Sequence, residues 1–176
     1  MSTDAVEHLA VLKDAILMEL EGKNFFERAV DTVQNQRSKD TFSSLVQQEV
    51  KHIEVLSREY ERLSSGDSWL SLYEASRKGQ AVPQLSVFKD PRLKRIKLRQ
   101  EAGELEVLAL GIEVEKKSIE YYSAALKGTD DPKAKEIYRW LVGEESGHLT
   151  ILSAEHDYRR RSGYYYDNQE FSLEVE

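Results

Sequence analysis

No cysteine occurs in this chain. That excludes disulfides, cysteine-based zinc sites and iron–sulfur or rubredoxin-type centres together. It fits a reducing compartment, and a cytoplasmic location is the expectation. Proline and glycine are scarce, three and nine in 176 residues. Long uninterrupted helices are therefore favoured over many-stranded sheets. No apolar run approaches the roughly 20 residues of a membrane span. The opening "MSTDAVEHLA" lacks a basic and apolar leader pattern. A positive excess is missing too: the net charge is −7, which argues against nucleic acid as a partner. What is present is 40% hydrophobic and 32% charged residues, a mixture suited to one globular domain with a sizeable core.

Apolar residues recur at helical spacing in four long segments. The first, 4–36, carries Leu9, Leu12, Ile16, Phe26 and Val30, with Asp4 as its expected N-cap. "QNQRSKD" interrupts it, and a second helix with Phe42, Leu45, Leu56 and Leu63 runs to "SSGDS". Residues 64–100 are less regular. "WLSLYEASRKG" reads as a short helix and "QAVPQLSVFKDP" as a loop, and Asp90-Pro91 could open the third long helix. That helix includes Leu105 to Leu126 and ends at Gly128; Asp131-Pro132 opens the fourth, which runs to about Arg160. The expected architecture is all-α, an antiparallel four-helix bundle over 1–163 with one long crossover between the second and third long helices. A tail, 164–176, is expected to pack back on it. One long crossover is the ferritin-like arrangement.

A gapless shift of ninety-six residues superposes the two halves. Leu9, Val11, Leu12, Ile16, Glu19, Ala29, Lys39, Leu45, Val46, Glu49, His52, Leu56, Ser57 and Glu59 all land on identical residues, 14 matches over 9–60. Random pairing would give roughly three or four. The chain reads as a duplicated helical hairpin.

The repeat carries polar residues into the apolar stripe. Leu45, Glu49, His52 and Leu56 share one helix face, as do Leu141, Glu145, His148 and Leu152. Glu19 lies on the face of Leu12, Ile16 and Phe26, and Glu115 on that of Leu108, Ile112 and Tyr122. Four carboxylates converging in an apolar interior would be very costly without compensation. Two divalent cations carry a charge of +4, which matches four Glu carboxylates beside two neutral His. Glu-x-x-His alone is a weak motif. Two copies in register, each with a Glu thirty residues earlier, form a strong one. This is the ligand set of di-metal carboxylate bundles.

The motifs "MELEGKNFF", "EVKH", "EVEKKSIEYY" and "EESGH" resemble those of the rubrerythrin branch of the ferritin-like superfamily. The resemblance covers most of 9–156, and the tail "DNQEFSLE" is similar less specifically. It implies a non-haem di-iron centre that reacts with hydrogen peroxide or dioxygen in oxidative-stress defence. Glu19, Glu49, His52, Glu115, Glu145 and His148 match the family's ligand motifs. Two departures matter. The family's cysteine-held rubredoxin-type iron has no counterpart here, so electrons are expected from an external donor. The family's additional carboxylate, one turn after the third-helix Glu, is replaced by Ser118, whose repeat mate is Gly22. That departure predicts a more symmetric centre and puts peroxidase activity in question.

The combined expectation is an oxidoreductase with two iron ions; manganese or zinc also suit oxygen and imidazole ligands. Glu49 and Glu145 are expected to bridge, Glu19 and Glu115 to be terminal or chelating, and His52 and His148 to bind one metal each. A homodimer is expected. Ferritin-like iron oxidation and storage, and a scaffold whose metal is structural or missing, are the other readings. Tyr122 is read as core packing, with hydrogen bonding to a ligand or a redox-active phenol as the alternatives. Gly22 and Ser118 leave room for a small oxidant or allow close helix approach. His8 and His156 are read as surface or interfacial histidines, and the basic run 92–100 as a solvated face.

Overall fold

The computed structural model describes residues 3–77 and 102–165, with side chains over 6–77 and 102–160. The described residues form four long helices and one short one: α1 (Thr3–Thr32), α2 (Gln36–Ser64), α3 (Leu72–Ala75), α4 (Glu104–Gly128) and α5 (Pro132–Tyr165). No strand occurs among them. Links of three residues, 33–35 and 129–131, fold α1 against α2 and α4 against α5. Each pair is therefore antiparallel.

Contacts between the hairpins fix the remaining directions. The Tyr121 hydroxyl donates to the Val11 carbonyl at 2.7 Å, while Gly111 abuts Phe25 and Phe26. Residue numbers rise on α1 as they fall on α4, so these helices are antiparallel. The same holds for α2 and α5, since Ser38 reaches Glu155 and His52 reaches Trp140. It follows that α2 and α4 run parallel, so the end of α2 and the start of α4 lie at opposite ends of the bundle. This is the expected crossover, and it follows from duplication about a two-fold axis: each hairpin presents the same face to the other.

Element ends depart from the sequence reading in detail. Helix α1 already includes Thr3, so Asp4 lies inside it and not before it, and it stops at Thr32, short of residue 36. The turn "QNQRSKD" contains the start of α2. There the Asn35 side chain accepts from the Arg37 and Ser38 amides at 2.9 and 3.4 Å. Replacing Asn35 with Ala is expected to cost about 1 kcal/mol, read as a fall of roughly 2–4 °C in Tm. Gly66 closes α2 at φ 87°, a conformation that favours glycine. Asp131 caps α5, its Oδ1 accepting from Lys133 and Ala134. The helix passes Arg160 and Gly163 to reach Tyr165. Asp90-Pro91, the basic run 92–100 and tail residues 166–176 lie outside the described residues.

The short helix of "WLSLYEASRKG" shrinks to one turn, opened by a Ser71–Glu74 capping box. Glu59 holds the segment before it, accepting from the Leu70 amide at 3.1 Å. Lys133 Nζ meets the Trp69 carbonyl at 3.0 Å, and Glu136 accepts from the Leu72 amide at 3.2 Å. At the opposite end, Glu155, the repeat mate of Glu59, joins Ser38, Arg37 and Arg159.

The apolar core has two halves. One contains Leu12, Ile16, Leu56, Tyr122, Tyr138 and Leu141; the other contains Phe25, Phe26, Phe42, Leu45, Leu108 and Leu152. Between them lies a polar layer built from the middle turns of all four long helices.

Candidate metal centre

All six predicted residues meet in that layer. Glu19, Glu49, His52, Glu115, Glu145 and His148 are each 3% exposed or less. Their spacing explains the meeting. Glu49 and His52 are one turn apart on α2, Glu145 and His148 one turn apart on α5, and the axis brings α1 and α4 across from them.

Both imidazoles turn Nδ1 inward. His52 Nδ1 lies 3.2 Å from Glu19 Oε2, 3.5 Å from Glu49 Oε2 and 3.1 Å from Glu145 Oε1. His148 Nδ1 lies 3.4 Å from Glu115 Oε1, 3.4 Å from Glu49 Oε1 and 3.1 Å from Glu145 Oε2. Glu49 and Glu145 thus split their two oxygens between the two histidines. Two donor groups result, Glu19–Glu49–His52–Glu145 and Glu49–Glu115–Glu145–His148, each with donor atoms within 4.8 Å of one another. The imidazoles stack 5.5 Å apart at 18°, as repeat mates facing across the axis should.

The electrostatics show how strained this layer is without cations. Burial first, then the neighbouring Glu49 and Glu145 carboxylates, push Glu19 well above the usual carboxylate range. Burial likewise raises Glu115. Burial also acts to raise Glu49 and Glu145, but hydrogen bonds from the histidines and from Glu19 or Glu115 outweigh it and hold both low. Burial opposes protonation of the histidines, yet the surrounding carboxylates lift His52 well above its ordinary value and His148 to about 11. The directions favour the neutral acid at Glu19 and Glu115, the carboxylate at Glu49 and Glu145, and the imidazolium form of both histidines. Protons stand where dications would. Glu115 Oε1 and Glu145 Oε1 are buried 3.4 and 3.1 Å from imidazole nitrogens, in poor alignment for a hydrogen bond. Buried oxygens of this kind, beside inward imidazole nitrogens, form a donor set suited to first-row divalent ions.

Tyr122 is fully buried and its hydroxyl donates to Glu19 Oε1. The sequence reading favoured packing alone; the residue does both. Burial raises the phenol well above its ordinary value, so it keeps its proton. A Cβ added to Gly22 would meet the Glu49 carboxylate at 3.9 Å and Val114 at 3.7 Å, ordinary contact distances. Gly22 is therefore not required for close helix approach, and it leaves space beside Glu49. Gly111 is the tighter position: an added Cβ would come within 3.2 Å of Leu152.

Two neighbours of His52 were not anticipated. Trp140 packs edge-on at 5.2 Å, and Glu144 Oε2 lies 4.0 Å from His52 Nε2. The only sequence clue was the doubled Glu of "EESGH". His8 and His156 stay outside the centre. His8 is half-buried, edge-on to Trp69 at 5.6 Å, and His156 Nδ1 lies 3.8 Å from Asp157 Oδ1. No described helix is long and apolar enough to cross a membrane.

Comparison with known proteins agrees with this geometry. A search of curated proteins returned no match. A solved structure of a hypothetical protein from Pyrococcus furiosus shares the fold, with a TM-score of 0.63 and 19% identity over 88% of this chain and 91% of that one. The rubrerythrin family model matches residues 10–156, a span containing all six clustered residues. The chain belongs to the rubrerythrin family.

Proposed function

We propose that this protein is a non-haem di-iron oxidoreductase that reduces hydrogen peroxide or dioxygen with electrons from a separate donor. The observation that carries the reading is the split of Glu49 and Glu145, each offering one oxygen toward each imidazole. Glu49 and Glu145 would be shared between two metal ions, with Glu19 and His52 holding one and Glu115 and His148 the other. Two iron ions, when bound, supply two electrons to the oxidant. With peroxide the balance is H2O2 plus two electrons and two protons to two waters.

The chain's own contribution is positioning and exclusion. The two apolar halves keep bulk water from the carboxylate layer. Tyr122 fixes Glu19 and holds a proton beside it. Gly22 keeps the place next to Glu49 free of a side chain, which favours access by a small oxidant.

Anaerobic loading with ferrous iron, then rapid mixing with peroxide or dioxygen, tests this. The expected result is oxidation of about two irons per peroxide and recovery of the ferrous pair on adding a reductant, over repeated cycles. Iron that accumulates beyond the pair as a ferric store would overturn the reading in favour of ferritin-like storage. Ferrous iron oxidised no faster than free iron would overturn it altogether.

A further inference from the structure

The six donor residues obey the repeat, but their supports do not. Tyr122 donates to Glu19 Oε1; its mate is Phe26, which has no hydroxyl to offer and packs 6.0 Å from Phe42. Glu115 Oε1 faces His148 Nδ1 at 3.4 Å, as Glu19 Oε2 faces His52 Nδ1 at 3.2 Å, but the repeat places a phenyl ring where Glu19 has the phenol. The outer nitrogens differ in the same sense. His52 Nε2 is buried without a hydrogen-bond partner, but the carboxylate of the partly exposed Glu144 stands 4.0 Å from it. The mate of Glu144 is Gln48, whose amide turns instead to the Ser44 carbonyl and hydroxyl at 3.4 Å. His148 Nε2 is likewise buried without a hydrogen-bond partner, and the repeat offers it an amide in place of a carboxylate. Both differences favour the same half. Ser118 in place of a carboxylate predicted a more symmetric centre, yet the supports make it lopsided.

We propose that the two metal positions are inequivalent, the Glu19–His52 position binding first and more tightly, with Glu144 and Tyr122 as its positioning residues. The inference rests on reading the cluster as a metal centre. A carboxylate behind an imidazole fixes the ring and its tautomer and makes the inner nitrogen a better donor. A hydroxyl on Glu19 Oε1 leaves Oε2 aimed inward. Glu115, held by neither device, is freer to shift and leaves its end of the centre more open.

Zinc(II) titration of the metal-free full-length protein tests this without any redox chemistry. The readouts are calorimetry and the NMR signals of the histidine ring nitrogens. Wild type is expected to bind in two steps, His52 shifting with the first equivalent and His148 with the second. Glu144→Gln should weaken the first step by about tenfold to a hundredfold and leave the second unchanged. Gln48→Glu should tighten the second step. Because both positions are partly exposed, neither substitution threatens folding. Simultaneous filling, His148 filling first, or equal weakening of both steps by Glu144→Gln would overturn the inequivalence alone. Failure to bind zinc at either position would overturn the metal-centre reading beneath it.

Discussion

Alanine at Glu49 or at Glu145 is expected to empty both metal positions, not one. Each carboxylate sends one oxygen toward His52 and the other toward His148. Its loss removes a donor from both groups and leaves two adjacent dications facing three carboxylates. Affinity at both positions should fall by a hundredfold or more, beyond the roughly tenfold to hundredfold effect of losing an outer hydrogen-bond partner. Glu19→Ala and Glu115→Ala, by contrast, should weaken mainly the position each one faces. Elemental analysis after gel filtration measures this directly. Two tightly retained metals in Glu49→Ala or Glu145→Ala would remove the bridging assignment.

The same substitutions should destabilise the metal-free protein. There Glu49 and Glu145 are the anions opposite two buried imidazolium ions. Removing one partner of a buried ion pair typically costs about 3–5 kcal/mol. Glu49→Gln retains the volume and loses only the charge, so it separates electrostatics from packing in denaturant unfolding.

Why the centre could be read from sequence while its supports could not is a matter of periodicity. Glu49, His52, Glu145 and His148 stand where a helical stripe should be apolar, and the duplication presents the anomaly twice. Glu144 sits beside that stripe, where a charged residue is unremarkable. Tyr122 was placed in the core correctly, but whether its hydroxyl met a ligand depended on the depth of α1 against α4, which side-chain packing sets. Glu59 and Glu155 are identical in sequence and both buried, yet one grips the segment before α3 while the other joins an arginine pair. A repeat fixes residue type at a position, not the partner that a dissimilar connection brings to it.

The second large effect concerns protons. In the metal-free protein Glu19, Glu115, His52 and His148 hold protons more tightly folded than unfolded. Their stabilising contribution is complete below the unfolded values, 4.5 for the acids and 6.5 for the histidines, and is lost as pH rises, for His148 up to about 11. Glu49 and Glu145 are depressed, so their contribution is lost as pH falls below 4.5. Glu59, which burial raises to about 7, adds to the decline between 4.5 and 7. These groups therefore make the metal-free protein less stable from pH 5 to pH 9. Metal binding has the opposite sign, because it requires deprotonated ligands. Filling both positions near neutral pH should release about four protons, two from glutamic acids and two from imidazolium ions. The product of the two association constants should then rise on the order of 10⁴-fold per pH unit. Zinc titration in buffers of different ionisation enthalpy counts the protons. Metal at about a hundred times its Kd adds roughly 2.7 kcal/mol per position, which for a chain of this size raises Tm by about 10–20 °C. The gap between loaded and metal-free Tm should widen as pH rises. Release of no protons, or a gap that narrows with pH, would mean that the four carboxylates are already ionised without metal, and the charge argument for the centre would fail.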